Sequence, residues 1–311
     1  MVSILDHIGQ TPLVPLGRIG AGLPVPLLAK CEHLSPGGSV KDRIALAIVD
    51  DAEARGLLTP GATLVEATAG NTGVGLALVA AVRGYRLVCV MPEKMSEDKR
   101  ETLRALGAEL VITPNAPPSD PRSFQQVARR LARERGAFLT DQFENPANPR
   151  VHEQTTGPEI LEAAGIVGAF VAGAGTGGTI TGVGRFLRAR VPGVRIVLAD
   201  PVGSGLAGWV RERRLGPDGK YAVEGIGSSA VPGNLDASVI DEAIEVTDDD
   251  SFAMTRRLVR EEGLLVGGSA GTAVVAAVRV AARGDVRGPV VALLPDAWDR
   301  YRSTAWMKSW G

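Results

Sequence analysis

Only two cysteines occur in the 311 residues, Cys31 and Cys89. Each lies in an apolar run, "LLAKC" and "RLVCV", of the kind that forms a buried strand. That leaves no basis for a disulfide framework or a thiolate metal centre, and reduced core thiols are expected. Aromatic residues make up only 4% of the chain, too few to build a stacking surface for single-stranded nucleic acid. The 34 basic and 35 acidic residues leave a net charge of −1, so no field of one sign draws nucleic acid or an anionic membrane. The histidines His7, His33 and His152 are scattered without ligand spacing, and no metal site is expected. No apolar run approaches the length of a membrane span. The start "MVSILDHIGQTPLVPL" has an early acid, Asp6, and no basic segment, which does not read as a signal peptide. A cytoplasmic protein without nucleic-acid or membrane partners is the expectation.

What the chain does have is 45% hydrophobic residues, enough for a large core and for two lobes. Apolar strand-length runs alternate with longer helix-compatible stretches. "TLVEA", "RLVCVMP", "ELVITP", "AFVAGAG", "RIVLADP" and "PVVALLPD" are the clearest. Several are continuously apolar, as strands buried on both faces are. The pattern predicts an α/β fold of mainly parallel sheets flanked by helices. Residues 201–240 are rich in glycine and irregular, where functional loops often sit.

Glycine-containing junctions open several of the predicted helices. In parallel sheets ligands gather at the carboxyl ends of strands, where helix starts present unpaired N–H groups to anions. "GAGTGGT" (173–179) is the most explicit phosphate cradle, with Thr176 and Thr179 adding hydroxyls. It also reads as G-x-G-x-x-G through Gly173, Gly175 and Gly178. Asp200 ends the next strand roughly twenty residues on, so a dinucleotide-binding oxidoreductase using NAD is a rival reading. "EATAGNTG" (66–73) suits a carboxylate, although Asn71 could simply cap its helix. "GGSAGT" (267–272) carries Ser269, which alone would be a helix cap. "SPGGSVKDR" (35–43) places Lys41 behind a glycine turn. A lysine in a dry pocket loses its proton more readily and becomes a nucleophile or base. A lysine, a phosphate cradle and a carboxylate loop together describe a site for pyridoxal 5′-phosphate holding an amino acid.

On these motifs the chain resembles the fold type II pyridoxal-phosphate enzymes of the cystathionine β-synthase and cysteine synthase family. "IGQTPLV", "GGSVKDR", "TAGNTG", "MPEKMSEDKRETLRALGAELV", "DQFENPANPRVHEQTTGPEI", "GTGGTITGVGRFL", "VEGIG", "EEGLLVGGSAG" and "LLPD" carry the resemblance in order, over essentially the whole length. It implies a two-lobed enzyme. Residues 35–145 would be a smaller, mobile lobe, and 1–34 with 146–311 a larger one, the cofactor lying between them. It implies that Lys41 bears the cofactor and moves the α-proton, and that Asn71 bonds its phenolic oxygen. Gly175, Thr176, Gly177, Gly178 and Thr179 would cradle its phosphate, and Ser269 would face its ring nitrogen. Thr68, Gly70, Thr72 and Gln142 would grip the substrate carboxylate, with Gly225 on a closing loop. The implied reaction is β-replacement on L-serine or an O-activated L-serine through an aminoacrylate, in a homodimer. Details of "GGSVKDR", "MPEKMS", "VEGIG" and "PDAWDRY" favour homocysteine as acceptor, giving cystathionine. Cysteine synthase, with sulfide and O-acetylserine, and a specialised β-substituted-alanine synthase are the alternatives. Ala69 departs from a serine common in the carboxylate loop. The chain ends at Gly311, so regulation through a heme extension or a tandem adenosyl-binding module is not expected.

Overall fold

The computed structural model describes residues 2–310 other than Ala69, Lys94, Ser96 and Pro118. Ala69 and part of "MPEKMS" therefore lie outside the described residues. The strands are β1 Leu13–Pro15, β2 Leu27–Cys31, β3 Thr63–Ala67, β4 Arg86–Pro92, β5 Glu109–Thr113, β6 Phe138–Leu139, β7 Ala169–Ala172, β8 Arg195–Pro201, β9 Glu242–Val246 and β10 Val290–Leu294. The helices are α1 Lys41–Ala54, α2 Asn71–Arg83, α3 Glu97–Ala105, α4 Phe124–Glu134, α5 Ala147–Val151, α6 Gly157–Ala164, α7 Gly178–Arg190, α8 Leu206–Glu212, α9 Asp248–Glu262, α10 Gly268–Ala282 and α11 Ala305–Lys308. Every strand pair except β1–β2 is parallel, as continuously apolar strands require when helices cover both faces.

The backbone divides into two compact units, Met1–Ile8 with Ser35–Ala147, and Gly9–Leu34 with Asn148–Gly311. Residues 1–8 group with the smaller unit, not with 9–34, because Leu5 packs among Leu64, Leu76 and Leu103 there. The sheet of that unit runs β5-β4-β3-β6. Alternate residues of β3 and β4 serve two cores. Leu64, Leu87 and Cys89 face one side, and Val65, Val88 and Val90 meet Val127 and Ala128 of α4 on the other. Helices α1 and α2 lie close together. A Cβ at Gly75 would stand 3.0 Å from both Ala45 Cβ and the Lys41 carbonyl oxygen.

The larger unit holds a sheet of order β1-β2-β10-β7-β8-β9. Its central helix, α10, is almost entirely small and apolar and is buried along most of its length, packing on β10 and β7. Thr247 caps α9 by accepting from the Asp250 amide, and Gly263 ends that helix in the left-handed conformation. The α9–α10 approach is closer than a side chain permits, since a Cβ at Gly271 would lie 1.9 Å from the Ser251 carbonyl oxygen. Trp306 stacks on Phe252 of α9 with centroids 4.6 Å apart, which docks the C-terminal tail on this unit. A buried network pins the arm before β1: Lys30 Nζ donates to the Thr11 carbonyl and to Glu159, each at 2.6 Å.

Both cysteines are free and buried. Burial pushes the Cys31 thiol up to about 12 and raises Cys89 further. Among the described residues, no helix is long and apolar enough to cross a membrane.

Candidate active site

In the smaller unit, α1 begins at Lys41 itself. The turn before it is built for close approach: Gly38 is left-handed at φ 76°, and Gly37 donates its amide to Asp42 Oδ2 at 2.6 Å. A Cβ at Gly37 would meet Asp42 Oδ1 at 2.5 Å, so the glycines let the chain fold onto the start of its own helix.

The β3–α2 junction gathers five of the expected residues. Gly70, at φ 156° and ψ −90°, occupies the cap position of α2 in a conformation that side chains disfavour. Asn71 is thus the first helical residue and not the cap, which removes the structural reading given to it above. Thr68 is buried, and its Oγ1 accepts from the amides of Gly70 and Gly73 at 3.1 and 3.3 Å. Thr72 donates to Gln142 Oε1 at 2.6 Å. Gln142 Nε2 donates inward, to the Ala67 carbonyl at 3.1 Å and to Glu66 Oε1 at 3.4 Å. The first amides of a helix lack intrahelical partners. This junction therefore combines N–H donors, small residues and three polar side chains, with no charged residue among 67–75. That is a set suited to a carboxylate.

The larger unit assembles the β7–α7 junction. Gly177 caps α7 at φ 81°, and a Cβ there would collide with Leu235 Cα at 2.6 Å. A Cβ at Gly178 would lie 1.8 Å from Asn148 Oδ1, and one at Gly175 would lie 2.5 Å from the Gly225 carbonyl oxygen. Gly225 therefore stands directly against this loop, and Gly227 donates to the Ala174 carbonyl at 2.8 Å. The Thr176 hydroxyl accepts from Asn148 Nδ2 at 3.0 Å, and the Thr179 hydroxyl lies 3.2 Å from His152 Nε2. His152 is fully buried on a π-helical turn, His152–Thr156, and its Nδ1 lies 2.9 Å from Thr156 Oγ1. Glycines, helix-start amides and two hydroxyls fit a phosphate monoester.

Ser269 lies in the first turn of α10, 3% exposed, behind a cap formed by Gly267. The serine is thus not the cap. Gly267 is clamped by the tail: its amide donates to the Asp296 carbonyl at 3.1 Å, and Tyr301 donates to Asp296 Oδ2 at 2.6 Å. Asp200, the acid of the dinucleotide reading, is buried at the end of β8 and accepts from the Ala207 amide at 2.8 Å. That oxygen, Oδ2, is bound to the start of α8, and Oδ1 has no hydrogen-bond partner among the described residues. Burial raises its carboxyl to about 6.

Sequence reasoning missed Asn148 and Glu66 and found only a scattered histidine in His152, which meets Thr179. Their contacts to the expected residues join distant segments: Asn148 and His152, in "NPANPRVHEQ", meet Thr176 and Thr179, 28 and 27 residues on, and Glu66 meets Gln142, 76 residues on.

Three comparisons bear on this arrangement. The model of a family described as pyridoxal-phosphate dependent enzyme matches residues 4–296. The chain is 48% identical over 313 residues to a cystathionine beta-synthase of Rattus norvegicus, covering 99% of this chain and 56% of that protein. It is 43% identical over 304 residues to a cysteine synthase of Staphylococcus aureus, covering 97% of this chain and 96% of the other. The chain thus spans about half the length of the first of these relatives and nearly all of the second. The crystal structure of an O-ureido-L-serine synthase superposes with a TM-score of 0.92 at 41% identity, covering 100% of this chain and 96% of that one. With the fold, the two glycine junctions and these matches in agreement, the chain belongs to the family of pyridoxal-phosphate dependent enzymes, among the cystathionine β-synthase and cysteine synthase relatives.

Proposed function

We propose that the protein catalyses β-replacement on L-serine or an O-activated L-serine, with homocysteine as acceptor and cystathionine as product. The observation that carries the reaction class is the β3–α2 junction, whose helix-start amides and linked Thr68, Thr72 and Gln142 side chains suit an amino acid's carboxylate. The extent of identity to cystathionine beta-synthases supports the acceptor.

Pyridoxal phosphate, when bound, withdraws electrons from the substrate's α-carbon so that the α-proton and the β-substituent can leave. Gly175–Thr179 would hold its phosphate through backbone amides and the two threonine hydroxyls. Asn71 would bond its phenolic oxygen. Ser269 would offer a neutral hydroxyl to its ring nitrogen, which would leave the ring a weaker electron sink than a carboxylate would and suit loss of a β-substituent. Thr68, Gly70, Thr72 and Gln142 fix the carboxylate and so orient the Cα–H bond. Lys41 Nζ takes that proton as the Cβ–O bond breaks. The oxygen leaves with the proton given up by the acceptor thiol, as water from serine or as the free acid from an O-activated donor, and Lys41 returns the α-proton to Cα once the sulfur has bonded Cβ.

The similarity to a cysteine synthase and to an O-ureido-L-serine synthase supports two neighbouring readings, with sulfide or another nucleophile as acceptor. A matrix of activities decides. Donors are serine, O-acetylserine and O-phosphoserine, and acceptors are sulfide, homocysteine, hydroxyurea and ammonia. Highest kcat/KM with serine and homocysteine is expected. Sulfide or hydroxyurea turned over more efficiently than homocysteine would replace the acceptor. The same preparation should elute as a homodimer on sizing.

A further inference from the structure

Glu66 is buried in β3, beneath the carboxylate-binding junction, and no role has been given to it above. Its Oε2 meets the Thr140 hydroxyl and accepts from the Gln142 amide at 3.3 Å, while its Oε1 faces Gln142 Nε2 at 3.4 Å. The Thr140 hydroxyl lies 3.1 Å from the Val65 carbonyl oxygen as well. A hydroxyl has one proton to give. The Val65 carbonyl also accepts from the Thr140 amide at 3.1 Å, and the hydroxyl's one proton serves either that carbonyl or Glu66; in the first arrangement the carboxyl supplies the proton of the Thr140–Glu66 contact.

The charges around Glu66 agree. Asp141, in the loop after β6, is of the same sign. Cys89 lies opposite it on β4 and is held as a thiol by burial. Helix α2 carries no charged residue before Arg83. On α4, Arg129 approaches Asp141 at 3.6 Å. None of these gives Glu66 a cation, and burial pushes its carboxyl up to about 8.

Both Gln142 amide hydrogens point at β3. To give one to a bound carboxylate, Gln142 must let go of a partner there. Release from a neutral carboxyl is easy, and release from a buried carboxylate is costly. We propose that Glu66 works as a neutral acid and is the positioning residue for Gln142, holding the amide in place yet freeing one hydrogen for the amino acid's carboxylate. This rests on the β-replacement reading above.

The test uses Glu66→Gln, Glu66→Ala and Gln142→Ala on the holoenzyme, with L-serine as the probe. Glu66→Ala should raise the serine KM roughly tenfold by stranding Gln142, and Glu66→Gln should recover most of that loss. In the Gln142→Ala background, Glu66→Ala should add little, because the two act in series. Above the pH at which Glu66 ionises, the parent's KM should rise more than that of Glu66→Gln. An infrared difference between parent and Glu66→Gln, taken without substrate at neutral pH, should show a protonated carboxyl band. That band and the Glu66→Gln kinetics decide the matter even where Glu66→Ala does not fold. Additive effects of the two alanine variants, no rescue by glutamine, or no such band would each overturn the inference. A parent whose spectrum responds to no amino acid would overturn the function proposed above and this role with it. A parent that responds normally while glutamine fails to rescue would overturn this inference alone.

Discussion

Thr72 donates its hydroxyl hydrogen bond to Gln142 Oε1 at 2.6 Å, joining positions 70 residues apart at the mouth of the β3–α2 junction. Replacing Thr72 by valine keeps the shape and removes the hydroxyl. If the pair serves the donor's carboxylate, the variant should raise donor KM roughly tenfold to a hundredfold, the loss of one hydrogen bond to a charged group. Acceptor KM should change little. Initial rates against donor and against acceptor separate the two, and equal effects on both would refute the assignment.

Lys41→Ala should abolish turnover, by a factor of about a hundred or more, since general-base transfer alone contributes that much. Cofactor retention should survive, because Gly175–Thr179 lie in a different unit and keep their hydroxyls and amides. Dialysis followed by phosphate analysis measures retention. Normal rates in the variant would remove Lys41 from the reaction.

Ser269→Asp places a carboxylate in the first turn of α10, where Ser269 is now buried. An opposite charge beside the ring nitrogen raises its proton affinity. The visible spectrum of the bound cofactor should change when donor is added, and replacement should slow. Full cofactor occupancy with an unchanged spectrum and rate would show that position 269 does not control the ring nitrogen.

Glu66→Gln has a consequence for folding as well. The Glu66 carboxyl is raised from its ordinary 4.5 to about 8 in the folded chain. Between those values the unfolded chain releases a proton that the folded chain keeps. Parent stability therefore falls, relative to Glu66→Gln, as pH rises from about 4.5 to about 8, and the gap is constant above that. Urea titrations of both proteins at several pH values measure it. Parallel curves throughout would mean that Glu66 ionises normally.

Gly271→Ala should cost at least about 1–3 kcal/mol, the usual range for overpacking, and more if the helices must part. The added Cβ would lie 1.9 Å from a backbone oxygen that cannot rotate away. Thermal melts check it. An unchanged Tm would mean that α9 and α10 are less closely packed than described.

The parallel strands were legible because β4, β7, β8 and β10 are apolar almost throughout, which fits only strands covered on both faces. β9 was not, because "EAIEV" carries acids at the first and fourth positions of an edge strand, and β6 is only two residues long. The glycine junctions could be read locally, since a cap and its helix are neighbours in sequence. Which residue caps was harder to see: Gly70 and Gly267 took positions that Asn71 and Ser269 could have filled. Glu66 shows the limit. Its partners Thr140 and Gln142 are 74 and 76 residues away, and nothing in "TLVEA" says that the acid points inward.

The burial of Cys31 and Cys89 has a practical consequence. Each thiol is inaccessible and resists ionisation, so neither competes for electrophilic reagents while the chain is folded. Toward such reagents the folded protein should behave as a cysteine-free background. A single cysteine introduced at an exposed position such as Val82, 48% exposed on α2, should accept a maleimide fluorophore alone. Spectroscopic reporters can thus be placed on the native sequence without first removing either thiol from the core.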